Sequence, residues 1–349
     1  MKLNFTGNIY RKGNDCMGKI YNSDGWINWD YIVNQRAAFN MIVGARGVGK
    51  TYGLMKYCID HEIPFIYLRR LKTQLELCAS IDGNPFNKIN ADMGLNIRPH
   101  NTRSGVVFAQ GEKVVALGVA LSTVANVRGF DYSQFTLILF DEAIASEGER
   151  PISKEFEVFL NFYETVNRNR ELLGEKPVQV FLLGNANRLT NPYFSGWHFM
   201  KTALNMIHGK QMVWKNADGS RLMIMLCDSA ISNRKKDTAL YKNASRGFLD
   251  MAINNAFRTD GTNIRSMPIR EFNHIVSIGD IGIYRHKSER LYYVSFLTKP
   301  DNAYDAYGMG LKMFQQDFYN LRLFYLINKI VYFENYEAEL IFRDIFGLT

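Results

Sequence analysis

The sequence lacks the features of metal-stabilised, disulfide-bonded and membrane-spanning proteins. Its four cysteines include no Cys-x-x-Cys pair and its six histidines show no metal-ligand spacing, which argues against a zinc site or a disulfide framework and favours a reducing cytosol. Residues 1–12 lack the apolar core of a signal peptide. The longest apolar neighbourhood, residues 323–333, contains Asn328 and Lys329 and is too short to span a bilayer. We therefore expect an intracellular, soluble protein with no membrane partner.

The length and the charge of the chain point to a two-domain protein with an anionic partner. A chain of 349 residues is too long for one small core and suits two domains with a connecting segment. The formal net charge of +8 favours nucleic acid as a partner. The same charge also fits a merely soluble basic surface, so charge alone leaves both alternatives open.

Residues 44–51 form a complete Gly-x4-Gly-Lys-Thr pattern directly after the apolar stretch 39–43. Glycines at these positions let backbone N–H groups surround phosphates, and a helix that begins at Thr51 would direct the positive end of its dipole toward them. Lys50 would neutralise the β and γ phosphates and Thr51 would bind Mg²⁺. The alternative is an ordinary glycine turn between a strand and a helix. The predicted nucleotide-binding residues are Gly44, Ala45, Arg46, Gly47, Val48, Gly49, Lys50 and Thr51.

A second apolar strand, residues 136–140, ends in two acids, as a Walker B element does. In that role Asp141 would hold Mg²⁺ largely through water, and Glu142 would orient and polarise the attacking water. The alternative is a buried strand followed by an acidic turn. The phosphate-binding pattern upstream favours the catalytic interpretation.

A polar amide follows a third apolar strand, residues 178–183. Nucleotide-driven motors place a sensor of the γ-phosphate at such a strand end, and Asn185 is favoured over Asn187 for that role. A simple turn asparagine is the alternative.

The helix predicted over residues 153–170 ends with Arg168 and Arg170, cations that would also complement the carboxyl end of a helix.

Strand and helix patterns alternate through the first two thirds of the chain. This alternation predicts an α/β fold, a P-loop NTPase with a mostly parallel central sheet covered by helices. Strands are expected at 39–43 and 64–68, a helix at 51–62 and a hairpin at 105–121. A strand–helix–strand unit separates the phosphate loop from the adjacent acids 141–142. That order resembles the additional-strand, catalytic-glutamate division of ring ATPases and helicases rather than nucleotide kinases.

Several motifs in a fixed order carry a more specific resemblance. They are residues 44–51, 67–72, 121–122, 140–142, 167–171, 185–186 and 191–194. With these motifs the chain resembles the genome-packaging ATPases of small podophages of the Salasmaviridae type, over roughly residues 28–195. The resemblance is much weaker beyond that segment.

The resemblance implies a homomeric ring, usually taken as five subunits, at the portal vertex of an empty capsid. Such rings pump double-stranded DNA inward by hydrolysing ATP with Mg²⁺. The implied partners are double-stranded DNA, the capsid portal and, as a further candidate, a structural packaging RNA. The implied location is the host cytoplasm and, transiently, the portal vertex, but not the mature virion.

Residue roles follow from the resemblance position by position. Lys50 and Thr51 would bind phosphate and Mg²⁺, Asp141 would be the metal-side acid, and Glu142 the catalytic base. Arg168 matches the arginine that reaches into the nucleotide site of the neighbouring subunit. Its charge would stabilise the transition state only when the interface between subunits closes.

Four other basic residues have less defined roles. Arg170 could take the place of Arg168. Lys72 matches a position linked to nucleotide exchange, and Arg128 matches a basic residue that acts from the adjacent subunit. Arg46 resembles an arginine of large terminases that contacts phosphates within its own subunit. Solvated surface charge is the alternative for Lys72 and Arg128.

The resemblance also implies the domain organisation. The expected parts are an ATPase domain at 1–225, a helical linker at 226–265 and a degenerate RNase H-like domain at 266–349 that binds nucleic acid or the portal. Nothing in the sequence shows the carboxylates of this last part converging on a metal pair, so nuclease activity is not favoured. The candidates for DNA or RNA contact, all in a predicted hairpin, are Arg285, Lys287 and Arg290. A helix at 308–329 is expected to bury one stripe, formed by Met313, Phe314, Phe318, Leu321 and Tyr325.

Two other functions are compatible with the same motifs. One is a single-stranded helicase or recombination motor built on the same core. The other is a nucleotide-binding assembly protein with little turnover.

Overall fold

The structure is a computed structural model with two compact units. It describes residues 20–44, 47–102, 105–127, 131–146, 149–185, 191–197, 199, 202–203, 206, 211–226, 238–239, 263–306 and 308–348. The first unit comprises Met1–Arg188 and Thr202–Arg258, and the second comprises Leu189–Lys201 and Thr259–Thr349. Across the described part of the chain, no helix is both long and apolar enough to cross a membrane.

A nine-stranded mixed sheet forms the centre of the first unit. Its strands are β1 (Phe39–Gly44), β2 (Phe65–Arg69), β3 (Arg98–Thr102), β4 (Gly105–Gln110), β5 (Lys113–Ala120), β6 (Leu137–Phe140), β7 (Gln179–Gly184), β8 (Val213–Lys215) and β9 (Arg221–Leu226). They lie in the order β3-β4-β5-β2-β6-β7-β1-β9-β8. The run from β5 to β9 pairs in parallel, and antiparallel pairs flank it on both sides. Strands β2, β6 and β7 are buried almost throughout, as expected for parallel strands covered on both faces.

The helices of the first unit precede β1 or lie between its strands in the sequence. They are α1 (Trp29–Val33), α2 (Lys50–Asp60), α3 (Lys72–Cys78), α4 (Asn87–Met93) and α5 (Glu155–Asn167). Strands β1 and β2, helix α2 and the β4–β5 hairpin confirm the elements expected at 39–43, 64–68, 51–62 and 105–121. The chain therefore has an α/β fold with mixed sheets.

The second unit is built on a five-stranded mixed sheet. Its elements are α6 (Pro192–Gly196), β10 (Phe272–Ile278), β11 (Ile281–His286), β12 (Tyr292–Ser295), β13 (Ala303–Tyr304), α7 (Gly308–Asp317), α8 (Tyr319–Leu323), a π-helical turn (Phe324–Asn328), β14 (Val331–Phe333) and α9 (Tyr336–Ile345). The strands lie in the order β13-β10-β11-β12-β14, with a core that includes Phe314, Phe333 and Phe342. The linker predicted at 226–265 lies almost entirely outside the described residues, and the RNase H-like assignment stays a prediction.

The helix expected at 308–329 is one continuous element in the prediction but three in the structure. It consists of α7, α8 and the π-helical turn, with Phe318 between the first two in a non-helical conformation. Phe314 and Leu321 are buried as expected. Met313 was expected in the same buried stripe, which is wrong: this side chain is 50% exposed. The adjacent Phe314 takes the core position.

Candidate nucleotide site

Four adjacent parallel strands end at the same edge of the first sheet. Arg69 ends β2, Asp141 follows β6, Asn185 follows β7 and Gly44 ends β1. Open α/β sheets bind ligands in the crevice outside the carboxyl ends of their strands. The strand order therefore collects side chains that are up to 141 positions apart in the sequence, from Gly44 to Asn185.

Lys50 is the buried cation at this edge. Its Nζ donates hydrogen bonds to the carbonyl oxygen of Gly44, at 2.8 Å, and to Oδ1 of Asn185, at 3.1 Å. Gly49 precedes it with φ +87°, a left-handed backbone conformation that costs a glycine least. The loop lysine and the predicted sensor amide are therefore in direct contact. Within the pattern 44–51, Ala45 and Arg46 lie outside the described residues.

Asp141 receives hydrogen bonds from three side chains. Oγ1 of Thr51 donates to Oδ1 at 2.6 Å, the hydroxyl of Tyr67 donates to Oδ2 at 2.9 Å, and Nη1 of Arg69 lies 2.8 Å from Oδ2. Burial raises the pKa of the Tyr67 hydroxyl well above its ordinary value, and the Asp141 charge adds to the increase, so the hydroxyl stays a donor. A threonine hydroxyl beside a carboxylate is the oxygen donor set that Mg²⁺ prefers. The residues present thus fit the predicted cation.

Glu142 occupies a strained position beside Asp141. Its φ is +52°, in the left-handed region that non-glycine residues seldom adopt. Such a backbone conformation costs about 1–3 kcal/mol and is concentrated at functional sites. The side chain is 50% exposed, and Nη2 of Arg69 lies 2.6 Å from its Oε2. Glu142 is thus the carboxylate of this edge that water reaches most easily.

Arg69 and Tyr67 are site residues to which the sequence assigned no role. Side chains two residues apart on a strand lie on the same face, and both of these contact Asp141 on the neighbouring strand. Arg69 also binds Glu142, so one guanidinium bridges the two acids. The sequence shows β2 as a short apolar run, but it does not show the β2–β6 pairing that brings these two side chains to Asp141.

Arg70, the residue after β2, is buried and pairs with two acids. Its Nε and Nη2 lie 2.8 and 2.7 Å from the two carboxylate oxygens of Glu155, and Nη1 lies 2.6 Å from Oε2 of Glu149. The side chains of Arg70 and Glu155 are 1% and 3% exposed. This bidentate pair joins the end of β2 to the first turn of α5, the helix that ends just before Arg168.

We expect Arg70→Met to lower the free energy of unfolding by about 3–5 kcal/mol, because it removes the guanidinium from a buried carboxylate. The double variant Arg70→Met with Glu155→Leu should recover most of this loss, since it replaces both charges with apolar groups. Urea unfolding, monitored through tryptophan fluorescence, measures both effects. The exposed Arg98 offers the control Arg98→Met, which should change the free energy by less than about 0.5 kcal/mol. If the double variant lost as much free energy of unfolding as the two single variants together, Arg70 and Glu155 would not stabilise the fold as a pair.

The two arginines after α5 differ in their surroundings. Arg168 is exposed and has φ +45° and ψ −129°, and its N–H donates to the carbonyl oxygen of Glu164. Arg170 is held within its own chain: Nη2 donates to the carbonyl oxygens of Ser133 and Phe135, and Nη1 lies 3.3 Å from Oε2 of Glu175. Arg168 is therefore the better placed of the two to meet another molecule.

The remaining predicted basic residues lie apart from this cluster. Lys72 begins α3 with its side chain 66% exposed, and its Nζ is 3.5 Å from Oε1 of Glu76. Arg128 and the alternative sensor Asn187 fall outside the described residues. In the second unit, the exposed basic side chains that flank the β11–β12 turn are Arg285, Lys287 and Arg290. Among the described residues, no three His, Cys, Asp or Glu side chains are grouped to hold a metal ion.

Curated relatives share sequence with part of this chain. The DNA packaging protein of Bacillus phage B103 is 32% identical over 161 residues, which cover 44% of this chain and 46% of that protein. The DNA packaging protein of Bacillus phage phi29 is 31% identical over 181 residues, which cover 50% of this chain and 49% of that protein. The matched segment thus spans about half the length of each relative.

The similarity at the level of fold and family is more extensive. The solved structure of the Phi-28 gp11 DNA packaging motor matches with a TM-score of 0.64 and 17% identity, covering 94% of this chain and 99% of that one. At this identity the likeness establishes a shared fold and nothing about activity. The sequence family described as Podovirus DNA encapsidation protein (Gp16) matches residues 21–336, most of the chain. The chain therefore belongs to the Podovirus DNA encapsidation protein (Gp16) family.

Proposed function

We propose that this protein is the P-loop ATPase of a phage packaging motor and couples ATP hydrolysis to the movement of double-stranded DNA into an empty capsid. The observation that carries the proposal is the contact set at the carboxyl edge of the first sheet. Lys50 touches the predicted sensor Asn185, and Thr51 touches Asp141. Membership of the DNA encapsidation family supports DNA packaging as the process that this ATPase would drive.

Each residue has a chemical task in this proposal. Lys50 binds the β and γ phosphates, while Thr51 and Asp141 would hold Mg²⁺, which supplies positive charge for the phosphoryl oxygens. Glu142 orients the attacking water and accepts its proton. Asn185 hydrogen-bonds the γ-phosphate and, through its contact with Lys50, responds to the loss of that group.

We further propose that Arg168 completes the site of a neighbouring subunit in a homomeric ring, taken as five subunits. Its exposure and the internal contacts of Arg170 support this choice. The ring would act at the capsid portal, with a structural packaging RNA as a further candidate partner. The second unit, proposed to be RNase H-like, would contact nucleic-acid phosphates through Arg285, Lys287 and Arg290, contacts that weaken steeply with salt.

A packaging assay tests the function directly. Purified empty capsids that carry the portal are incubated with double-stranded DNA, Mg²⁺, ATP and this protein, with and without packaging RNA, and are then treated with DNase. We expect DNA protection that depends on ATP, is lost with Lys50→Ala and is lost when EDTA removes Mg²⁺. Strand separation of a short duplex without capsids would instead favour a helicase. Capsid assembly that needs nucleotide binding but no turnover would favour an assembly protein.

A further inference from the structure

A small hairpin precedes the first helix and presents Trp26. Tyr21 and Ile27 form an antiparallel bridge, and the N–H of Asn22 donates to the carbonyl oxygen of Trp26 at 2.8 Å. Oδ1 of Asn22 accepts from the N–H of Trp26, at 2.9 Å, and Gly25 turns the chain with φ +86°. The backbone of Trp26 is thus fixed on both its donor and its acceptor side.

The ring of Trp26 lies against the phosphate loop. A methyl group placed on Gly49 would lie 3.1 Å from Cε3 and 3.6 Å from Cζ3 of this ring. Trp29 approaches the same glycine, because its Nε1 donates to the Gly49 carbonyl oxygen at 3.4 Å. Gly49 directly precedes Lys50, so the ring lies beside the start of α2, where the proposed phosphates would be held.

The two tryptophans differ in exposure. Trp29 is 5% exposed and packs in the core, whereas Trp26 is 46% exposed. A tryptophan offers a large flat apolar surface, and burying such a surface against a partner is favourable. The hairpin therefore holds a half-exposed aromatic ring next to Gly49, the residue that precedes Lys50.

We propose that Trp26 stacks on the base of the nucleotide whose phosphates bind the loop at residues 44–51. This inference rests on the proposed ATPase site and adds the contact for the base. Every nucleobase has a π-face, so stacking tolerates different bases. The site would accordingly bind ATP and GTP through the same ring.

Three probes separate base stacking from phosphate binding: ATP, GTP and inorganic tripolyphosphate. Trp26→Ala in the full chain should weaken ATP and GTP binding by about 5–150-fold, the range expected for losing one stacked base. Tripolyphosphate affinity should change by less than about twofold, because this probe has no base to stack. Trp26→Phe should keep most of the ATP affinity. In hydrolysis, KM should rise while kcat stays the same, since the contact is made equally in ground and transition states.

Tryptophan emission provides a second measurement that does not depend on an alanine variant. ATP should quench the emission of the wild type, and the quench should vanish in Trp26→Phe but persist in Trp214→Phe. Equal loss of tripolyphosphate and ATP affinity in Trp26→Ala would overturn the proposal, because the ring would then only shape the loop. Unchanged ATP affinity with altered ring assembly would assign Trp26 to a subunit contact. A wild type that binds tripolyphosphate but shows no preference for ATP refutes the stacking alone, whereas one that binds neither refutes the ATPase site as well.

Discussion

Replacing Arg168 with alanine is expected to lower kcat for ATP hydrolysis by about 10³–10⁵-fold, the contribution of an arginine that reaches the transition state from a neighbouring subunit. In the proposed role its charge would offset the negative charge that develops on the transferred phosphoryl group. Steady-state hydrolysis by assembled rings, measured with saturating ATP and Mg²⁺, gives the change. The affinity for ATP should fall far less, because the arginine acts mainly in the transition state.

Mixed rings test whether the arginine acts across the interface. Rings that contain both Arg168→Ala and Glu142→Gln subunits include interfaces where an intact Arg168 faces an intact Glu142. We expect such rings to recover part of the hydrolysis that each variant lacks alone. Absence of recovery in rings verified to be mixed would place Arg168 in its own subunit's site, or outside the chemistry altogether.

Arg170 is the matched control for Arg168. Its guanidinium is bound to carbonyl oxygens of Ser133 and Phe135 within the same chain. Arg170→Ala should therefore lower thermal stability and leave kcat of the folded protein within about tenfold of the wild type, because hydrogen bonds within the same chain stabilise the fold. A larger loss of kcat for Arg170→Ala than for Arg168→Ala would exchange the two roles.

The first sheet illustrates how much of the fold local sequence determines. Buried strands such as β2 and β6 are short apolar runs, and their boundaries follow from the residues that end them. The phosphate-binding pattern places Lys50 and Thr51 without any tertiary information, since the loop lies within eight consecutive residues. These parts are predictable because the residues that interact are neighbours in the chain.

Contacts between distant segments were not predictable in the same way. Arg69 and Asp141 lie 72 positions apart, and their contact depends on β2 and β6 being neighbours in the sheet. Met313 shows a different problem, because it is adjacent to Phe314 in α7, where neighbouring side chains point about 100° apart, and only Phe314 faces the core. Trp26 carries no sequence pattern at all, since only the hairpin fold brings it to Gly49.

Glu142→Gln is expected to lower kcat by about 10²–10⁴-fold, the usual contribution of a general base. The amide has the same shape as the carboxylate, and its oxygen can still accept from Arg69, which lies 2.6 Å from Oε2. The left-handed backbone at this position is also retained, so the free energy of unfolding should change by less than about 1 kcal/mol. What the amide loses is the ability to accept a proton from the attacking water.

Binding and turnover should therefore separate in this variant. The Kd for Mg-ATP should stay within a few-fold of the wild type, because Lys50, Thr51 and Asp141 are untouched. Glu62→Gln is a suitable control, since Glu62 is exposed and pairs with Lys113 away from the site. Turnover by Glu142→Gln within about tenfold of the wild type would mean that a different group takes the proton. The strained backbone of Glu142 would then have to be explained by its contact with Arg69, which holds the side chain at the edge of the sheet, and not by catalysis.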